Sequence, residues 1–521
     1  MAQKETSSKS RRWLGLSGAA VLVANLVLTG TTIAFQQEGE VNHALGIEGA
    51  GASYGGTEFS ADGTLSDASY EKYIEAAYQF CEQEEEEGSV LLYNRNNALP
   101  LSESERNVTV FGRGSIDPVF RSTAGGSSTN PDYQKTPVDA LQDAGFNVNQ
   151  TVLDAYTSAE APKARSVSSV GEYDPALFTG SVTDSFASYG DVAFVTLSRF
   201  ATEGNDLAMV NDEGKRMLEL DDNEKAIFQK IKDSGKFKKT VVLLNSVFAM
   251  EMDWLDEYNV DAVLWVGNPG FYGMPGAIRV VTGEVNPSGH TTATFAANSL
   301  SAPSAENFGL HAYNYGSKTP RAAGDSFVSY NEGIYVGYRY FETFAKDKVR
   351  YPFGFGMSYT TFDISAEFSA ADGVVTANVT VKNTGSVPGR EVVQIYCEAP
   401  QGRLGKPARV LCGFDKTWTI KPGDSEPLTI EIPVESLASY DDSGVTGHRY
   451  CWLLEGGTYR FYVGSDVRSA GECFSLEIPE TVVEQCRSAL GPVTPFQRMK
   501  NSSGSVVFED VPLTPDPEPH S

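Results

Sequence analysis

The chain has 521 residues, room for roughly two to four domains, and at 41% hydrophobic and 21% charged it is globular rather than disordered. A net charge of −27 argues against nucleic acid or anionic lipid as a partner, and otherwise speaks only to solubility. No Cys-x-x-Cys pair or His/Cys cluster has metal-ligand spacing, so no metal and no cofactor is expected.

Residues 1–12 form a basic stub, with Lys4, Lys9, Arg11 and Arg12 against Glu5. Residues 13–35 carry no charge and are long enough to cross a bilayer, which takes roughly 20 residues. The basic flank places the stub in the cytoplasm. Two readings stay open: a cleaved signal peptide, with Thr32-Ile33-Ala34 as a poor cleavage site, or an uncleaved transmembrane anchor, which the length favours. Either way, the domains that follow are expected outside the cytoplasm, membrane-anchored or secreted. Residues 36–69, rich in Gly, Ser and Thr, read as a linker.

Tyr70–Glu87 reads as a helix with Ile74, Ala77, Tyr78 and Cys81 on one face, stopped by Gly88. An α/β alternation follows. Ser89–Tyr93, Asn107–Phe111, Asp191–Thr196, Thr240–Leu244 and Val260–Val266 read as strands, the last two as near-continuous apolar runs typical of a sheet covered on both faces. Pro137–Ala144 is a short helix. Asp221–Ser234 carries the fullest helix signal, with Asp221 as cap, Glu224 completing a capping box, an apolar face of Ile227, Phe228 and Ile231, and Gly235 as the stop. Residues 70–297 are therefore expected to form an α/β sandwich around a mostly parallel or mixed sheet. Residues 298–361, aromatic and Gly-rich, read as an ordered connector. From Phe362 the pattern turns to period two, with short strands at Val374–Val381, Val392–Tyr396, Leu428–Ile432 and Tyr459–Val463, so residues 362–484 are expected to be a β-sandwich. Residues 485–521, polar and ending Pro-rich, are expected to be a disordered tail. Five cysteines, Cys397, Cys412, Cys451, Cys473 and Cys486, cluster late in the chain and fit either disulfides or buried thiols.

Chemistry is sought at strand ends. Gly112-Arg113-Gly114-Ser115 lacks the third glycine of a dinucleotide fingerprint. Arg113, Asp117, Arg121 and Gly125-Gly126-Ser127-Ser128 form a polar loop at a strand end, which is either an ordinary surface loop or a sugar contact. No G-x-S-x-G elbow occurs, and the five histidines are scattered. Leu197–Leu207 places Glu203 beside Gly204 on a loop just past a strand end, where it is either a catalytic acid or an ordinary loop carboxylate.

Several segments resemble the family 3 glycoside hydrolases, the β-glucosidase and β-xylosidase group. Glu87–Asn94 with Asn97-Ala98-Leu99-Pro100-Leu101 is similar to the opening of the family's α/β sandwich domain, and Phe111-Gly112-Arg113 with Asp117-Pro118-Val119 continues it. Val281–Gly289 and Tyr351–Tyr359 are similar to its closing signatures. Lys382-Asn383-Thr384-Gly385, Gly389-Arg390-Glu391-Val392, Leu411–Phe414 and Lys421-Pro422-Gly423 resemble the appended fibronectin type III-like domain. The likeness spans roughly 70–466.

The resemblance implies a β-linked glucoside or oligosaccharide as substrate, and a (β/α)8 barrel that supplies an aspartate nucleophile. No barrel pattern is seen in this sequence. The arrangement is similar to members of reversed domain order, and Gln497–Lys500 with Gly504–Val511 resembles their lead into the barrel. In the family's acid/base segment, often S-G-E-G-x-D-R, Glu203 takes the acid/base position, while Leu207 stands where Arg is usual. Gly267–Gly273 also departs from the family's pattern. A retaining glycosidase needs two carboxyl groups about 5–5.5 Å apart, so the lone chain is expected to be inert without a barrel, supplied for instance by a separate polypeptide. Three readings stay open: half of a split or truncated glycosidase, a non-catalytic cell-surface carbohydrate-binding or scaffold protein, or a gene remnant.

Overall fold

The computed structural model describes residues 67–120, 134–201, 206–309, 311–312, 326–328, 330–487, 496–502 and 504–511. The expected membrane span at 13–35 lies outside the described residues; among those described, no helix is long and apolar enough to cross a membrane. The chain divides into two units, Met1–Ala76 and Ala77–Ser521. Helix α1 (Asp67–Gly88) begins in the first and ends in the second, which holds both folded domains.

The α/β domain is built on a six-stranded sheet: β1 (Val90–Asn94), β2 (Asn107–Phe111), β3 (Asn147–Val148), β4 (Val192–Ser198), β5 (Lys239–Asn245) and β6 (Ala262–Trp265), in the order β1-β6-β5-β4-β2-β3. Strands β2 to β6 run parallel, and β1 lies antiparallel on β6 with Val90 opposite Trp265. The period of two explains the two cores. Ala193, Val195, Val242 and Leu244 face helices α3 (Gln150–Ser158) and α4 (Asp222–Ser234). Val192, Phe194, Val241 and Leu243 face α2 (Pro137–Asp143) and α5 (Met274–Thr282). Each of the Val, Leu and Phe side chains among them, fully buried, contributes roughly 1.5–3 kcal/mol. The cap expected at Asp221 is present: its side chain accepts from Glu224 N, the reciprocal bond closes the box, and Gly235 follows in the left-handed region. Gly276 lets α5 lie against α1, since a Cβ there would sit 2.2 Å from Glu82 O.

The connector is part of this domain at its far end. β7 (Phe295–Ala296) pairs with β8 (Val349–Tyr351), and Met357 N donates to Leu91 O at 2.9 Å. The second domain packs a three-stranded sheet, β9 (Phe362–Ala371), β10 (Val374–Asn383) and β13 (Ser425–Pro433), on a four-stranded one, β11 (Val392–Glu398), β12 (Val410–Lys416), β14 (Gly457–Gly464) and β15 (Gly471–Ile478). Their inner faces share the core of Val379, Val381, Ile395, Ile432 and Phe461. All six cysteines are free thiols. The domains meet through His290 Nε2 and Glu391 Oε1 at 3.1 Å and through Gln394 Nε2 donating to Gly354 O at 3.0 Å.

One expectation is corrected. Residues 485–521, read as a disordered tail, contain an antiparallel hairpin of Phe496–Ser502 and Ser505–Val511. Its order comes from distant partners that its own composition does not reveal. Met499 N donates to Asn331 O at 2.7 Å, Asn501 N to Tyr335 Oη at 3.0 Å, and Asn501 Nδ2 to Lys406 O at 2.9 Å.

Candidate active site

The parallel strands β2, β4, β5 and β6 deliver their C-terminal ends to one edge of the sheet, and the loops leaving them form the crevice where α/β sheets hold ligands. Asn245, the last residue of β5, ties these loops together. Its Oδ1 accepts from Val119 N at 2.6 Å and Ser198 Oγ at 2.9 Å, and its Nδ2 donates to Val119 O at 2.9 Å and Gly267 O at 2.7 Å. One fully buried amide thereby fixes the loops after β2, β4 and β6.

The loop after β4 is held at both ends. Arg199 is wholly buried, and all five of its N–H donors are used. Nη1 and Nη2 donate to the two Glu224 oxygens at 2.7 and 2.8 Å, Nη1 also to Ser198 O at 2.9 Å, Nη2 to Glu219 O at 2.7 Å, and Nε to Met217 O at 2.5 Å. Glu224 is thus helix cap and counter-ion at once. At the other end Leu207 is 3% exposed and packs into the core beside Met217 and Leu220. Glu203 itself, with Thr202, Gly204 and Asn205, lies outside the described residues. What is described is the frame from which that loop springs.

Of the polar loop after β2, Arg113 and Asp117 come together, Nε to Oδ2 at 2.8 Å; Arg121 and Gly125–Ser128 lie outside the described residues. Arg113 N donates to both oxygens of Glu172 at 2.9 Å, and Arg165 Nη2 donates to Asp117 O at 2.8 Å. Burial pushes the Glu172 carboxyl up to about 8, against the pull of the Arg113 N–H, with the Glu224 carboxylate adding to the rise. Burial and then the Glu224 charge raise Asp221 to about 6. A cleft of about 450 Å³ opens between Lys163–Asn223 segments, lined by Ser168, Glu172, Asn211, Lys215 and Arg216 among others. Its planar donors and acceptors suit hydroxyl-rich ligands. Among the described residues no group of three or more His, Cys, Asp or Glu side chains is placed to hold a metal ion.

Residue patterns alone do not single out Asn245, Arg199 or Glu172. The signals exist in weak form: a polar pair, Asn245-Ser246, closing an apolar strand, and a lone Arg after a strand with a capping Glu downstream.

Fold and edge together define an α/β sandwich joined to a fibronectin-like β domain. Residues 89–359 match the model of the glycosyl hydrolase family 3 C-terminal domain, and residues 391–467 that of the fibronectin type III-like domain. The chain belongs to glycosyl hydrolase family 3. It is 42% identical over 435 residues to a β-glucosidase of Ruminococcus albus, covering 82% of this chain and 44% of the relative. It is 35% identical to β-glucosidase A of Butyrivibrio fibrisolvens, covering 82% and 54%. Among solved structures, a β-glucosidase from Paenibacillus barengoltzii superposes with a TM-score of 0.72 at 32% identity, over 84% of this chain and 48% of that one. β-Glucosidase 3B from Thermotoga neapolitana, solved in complex with α-D-glucose, gives 0.65 at 29%, over 80% and 55%. The chain spans about half the length of the curated relatives it matches.

Proposed function

We propose that this chain supplies the acid/base half of a retaining β-glucosidase site, with Glu203 protonating the glycosidic oxygen and then activating water. What supports the reading is the frame on either side of Glu203 in the sequence: Arg199, just past β4, and Leu207 are both pinned in a family 3 sandwich, at the sheet edge where α/β folds hold ligands. A pinned frame lets a short loop present one carboxyl repeatably, which acid/base catalysis requires. The nucleophile comes from a (β/α)8 barrel, supplied outside these 521 residues. The substrate is a β-linked glucoside, as the names of the relatives suggest. The run 13–35 anchors or exports the protein, which places the chemistry outside the cytoplasm.

The test is hydrolysis of an aryl β-glucoside by the chain alone and with the product of an adjacent barrel-encoding reading frame. Turnover is expected only for the pair. Glu203→Ala in the pair should lower kcat/KM by about 100-fold or more, with partial rescue by azide. Strong turnover by the lone chain, or full activity of the Glu203→Ala pair, overturns the reading.

A further inference from the structure

A second surface, far in sequence from the β4 loop, has the chemistry of a sugar platform. Trp418 is 74% exposed and Phe414 67%, the two most exposed large apolar side chains of the β-sandwich. Phe414 lies on β12 and Trp418 just beyond its end. Four residues separate them, so their Cα atoms lie no more than about 14 Å apart. The Arg390 guanidinium lies over the Trp418 ring, 5.5 Å from its centroid, and Trp418 N donates to Glu426 Oε1 at 3.1 Å, so ring and backbone are both held. Arg390 also pairs with Glu87 at 2.9 Å. That contact leads into a groove of about 970 Å³ between the two domains, walled by Glu86, Arg279, Asn286 and Arg390. In that wall Arg279 Nε is buried with no hydrogen-bond partner among the described residues.

We infer that Trp418, Phe414 and the adjoining groove form an accessory binding surface for a β-glucan chain, distinct from the Glu203 crevice; this rests on the reading of the protein as acting on β-glucosides. A pyranose offers an apolar C–H face and a rim of hydroxyls. The exposed ring of Trp418 meets the first, and the carboxylate, amide and guanidinium groups of the groove meet the second. The groove, at about 970 Å³, suits a chain of several sugar units better than a monosaccharide. A protein helix would need an apolar groove, which this is not, and the overall charge of −27 repels nucleic acid.

Native affinity electrophoresis of the full chain in gels containing soluble mixed-linkage β-glucan tests this. Wild type should be retarded. Trp418→Ala should weaken the apparent affinity by about tenfold or more, Trp418→Phe by less, and Phe414→Ala measurably. These side chains are exposed, so thermal unfolding should be unchanged in all three. Glu203→Ala should be retarded like wild type, which separates this surface from the proposed catalytic site: loss of turnover by the Glu203→Ala chain paired with the barrel, with retained retardation of the chain alone, supports both readings. Absence of retardation in wild type overturns the inference, as does equal retardation of Trp418→Ala. Sedimentation showing a wild-type dimer and a Trp418→Ala monomer, without glucan retardation, overturns it in favour of self-association.

Discussion

Removing Arg199 should unfasten the β4 loop and cost more than an ordinary core substitution. In Arg199→Met the side-chain volume is roughly kept. The Glu224 carboxylate, 1% exposed, is left with Asp221 N as its remaining donor, at 2.8 Å. The carbonyls of Met217 and Glu219 lose their Arg199 bonds. Breaking a buried pair by deleting one partner costs about 3–5 kcal/mol, because the survivor stays charged in a medium that does not solvate it. In a domain of this size that lowers the unfolding midpoint by about 6–20 °C. Glu224→Leu should cost a similar amount, since it strands Arg199 and opens the capping box. The double variant should be less destabilised than the sum of the two by about 2–3 kcal/mol, as each single change already forfeits the shared interaction. Thermal and urea unfolding of the four proteins close the cycle, and hydrogen exchange across 206–220 reports the loop. A single variant costing under about 1 kcal/mol, or strict additivity, would refute the claim that this pair holds the frame.

Two further outcomes follow from the same edge. Glu172, with a folded pKa near 8 against an ordinary 4.5, binds a proton in the folded state that the unfolded chain releases. Its contribution is therefore fully present below pH 4.5 and lost as pH rises through 8, so the melting temperature of wild type should fall between pH 6 and 9 more steeply than that of Glu172→Gln; parallel curves would rule this out. Leu207→Arg restores the residue usual in the family's motif, but at a position 3% exposed it buries an uncompensated charge. It should cost at least the roughly 2–5 kcal/mol of a core Leu→Ala change, and stability equal to wild type would show that the loop reorganises to accept it.

The strands were legible because their signal is local. The apolar runs at Asn107–Phe111 and Thr240–Leu244 coincide with β2 and β5 to within one residue at each end, and the capping box at Asp221 and Glu224 names its helix start outright. Met274–Thr282 escaped notice, since Met274-Pro275-Gly276 reads as a turn and the helix is stabilised by what it packs against. The hairpin 496–511 was misread for the same reason: its partners Asn331, Tyr335 and Lys406 are supplied by other parts of the fold. Glu203 was reachable only through family likeness, because one carboxylate on a loop carries no periodicity. The frame around it is built from contacts distant in the chain. Arg199 meets Glu224 across 25 residues, and Asn245 meets Val119 across 126. Leu207, which stands where the family usually has Arg, belongs to the core.

The pairing of β1 with β6 sets a timetable for synthesis. Val90 is translated long before its strand partner Trp265. At ~5–20 residues per second, Val90, Leu91 and Leu92 wait roughly 10–35 s with an open edge. The acidic run Glu82–Glu87, immediately upstream, is placed to act as a gatekeeper over that interval, repelling other nascent chains until the sheet closes. The Asn245 clasp needs Gly267 as well, so the ligand-binding edge is among the last parts of the α/β domain to set. A chain released before that point would lack the clasp that joins the loops after β2 and β6.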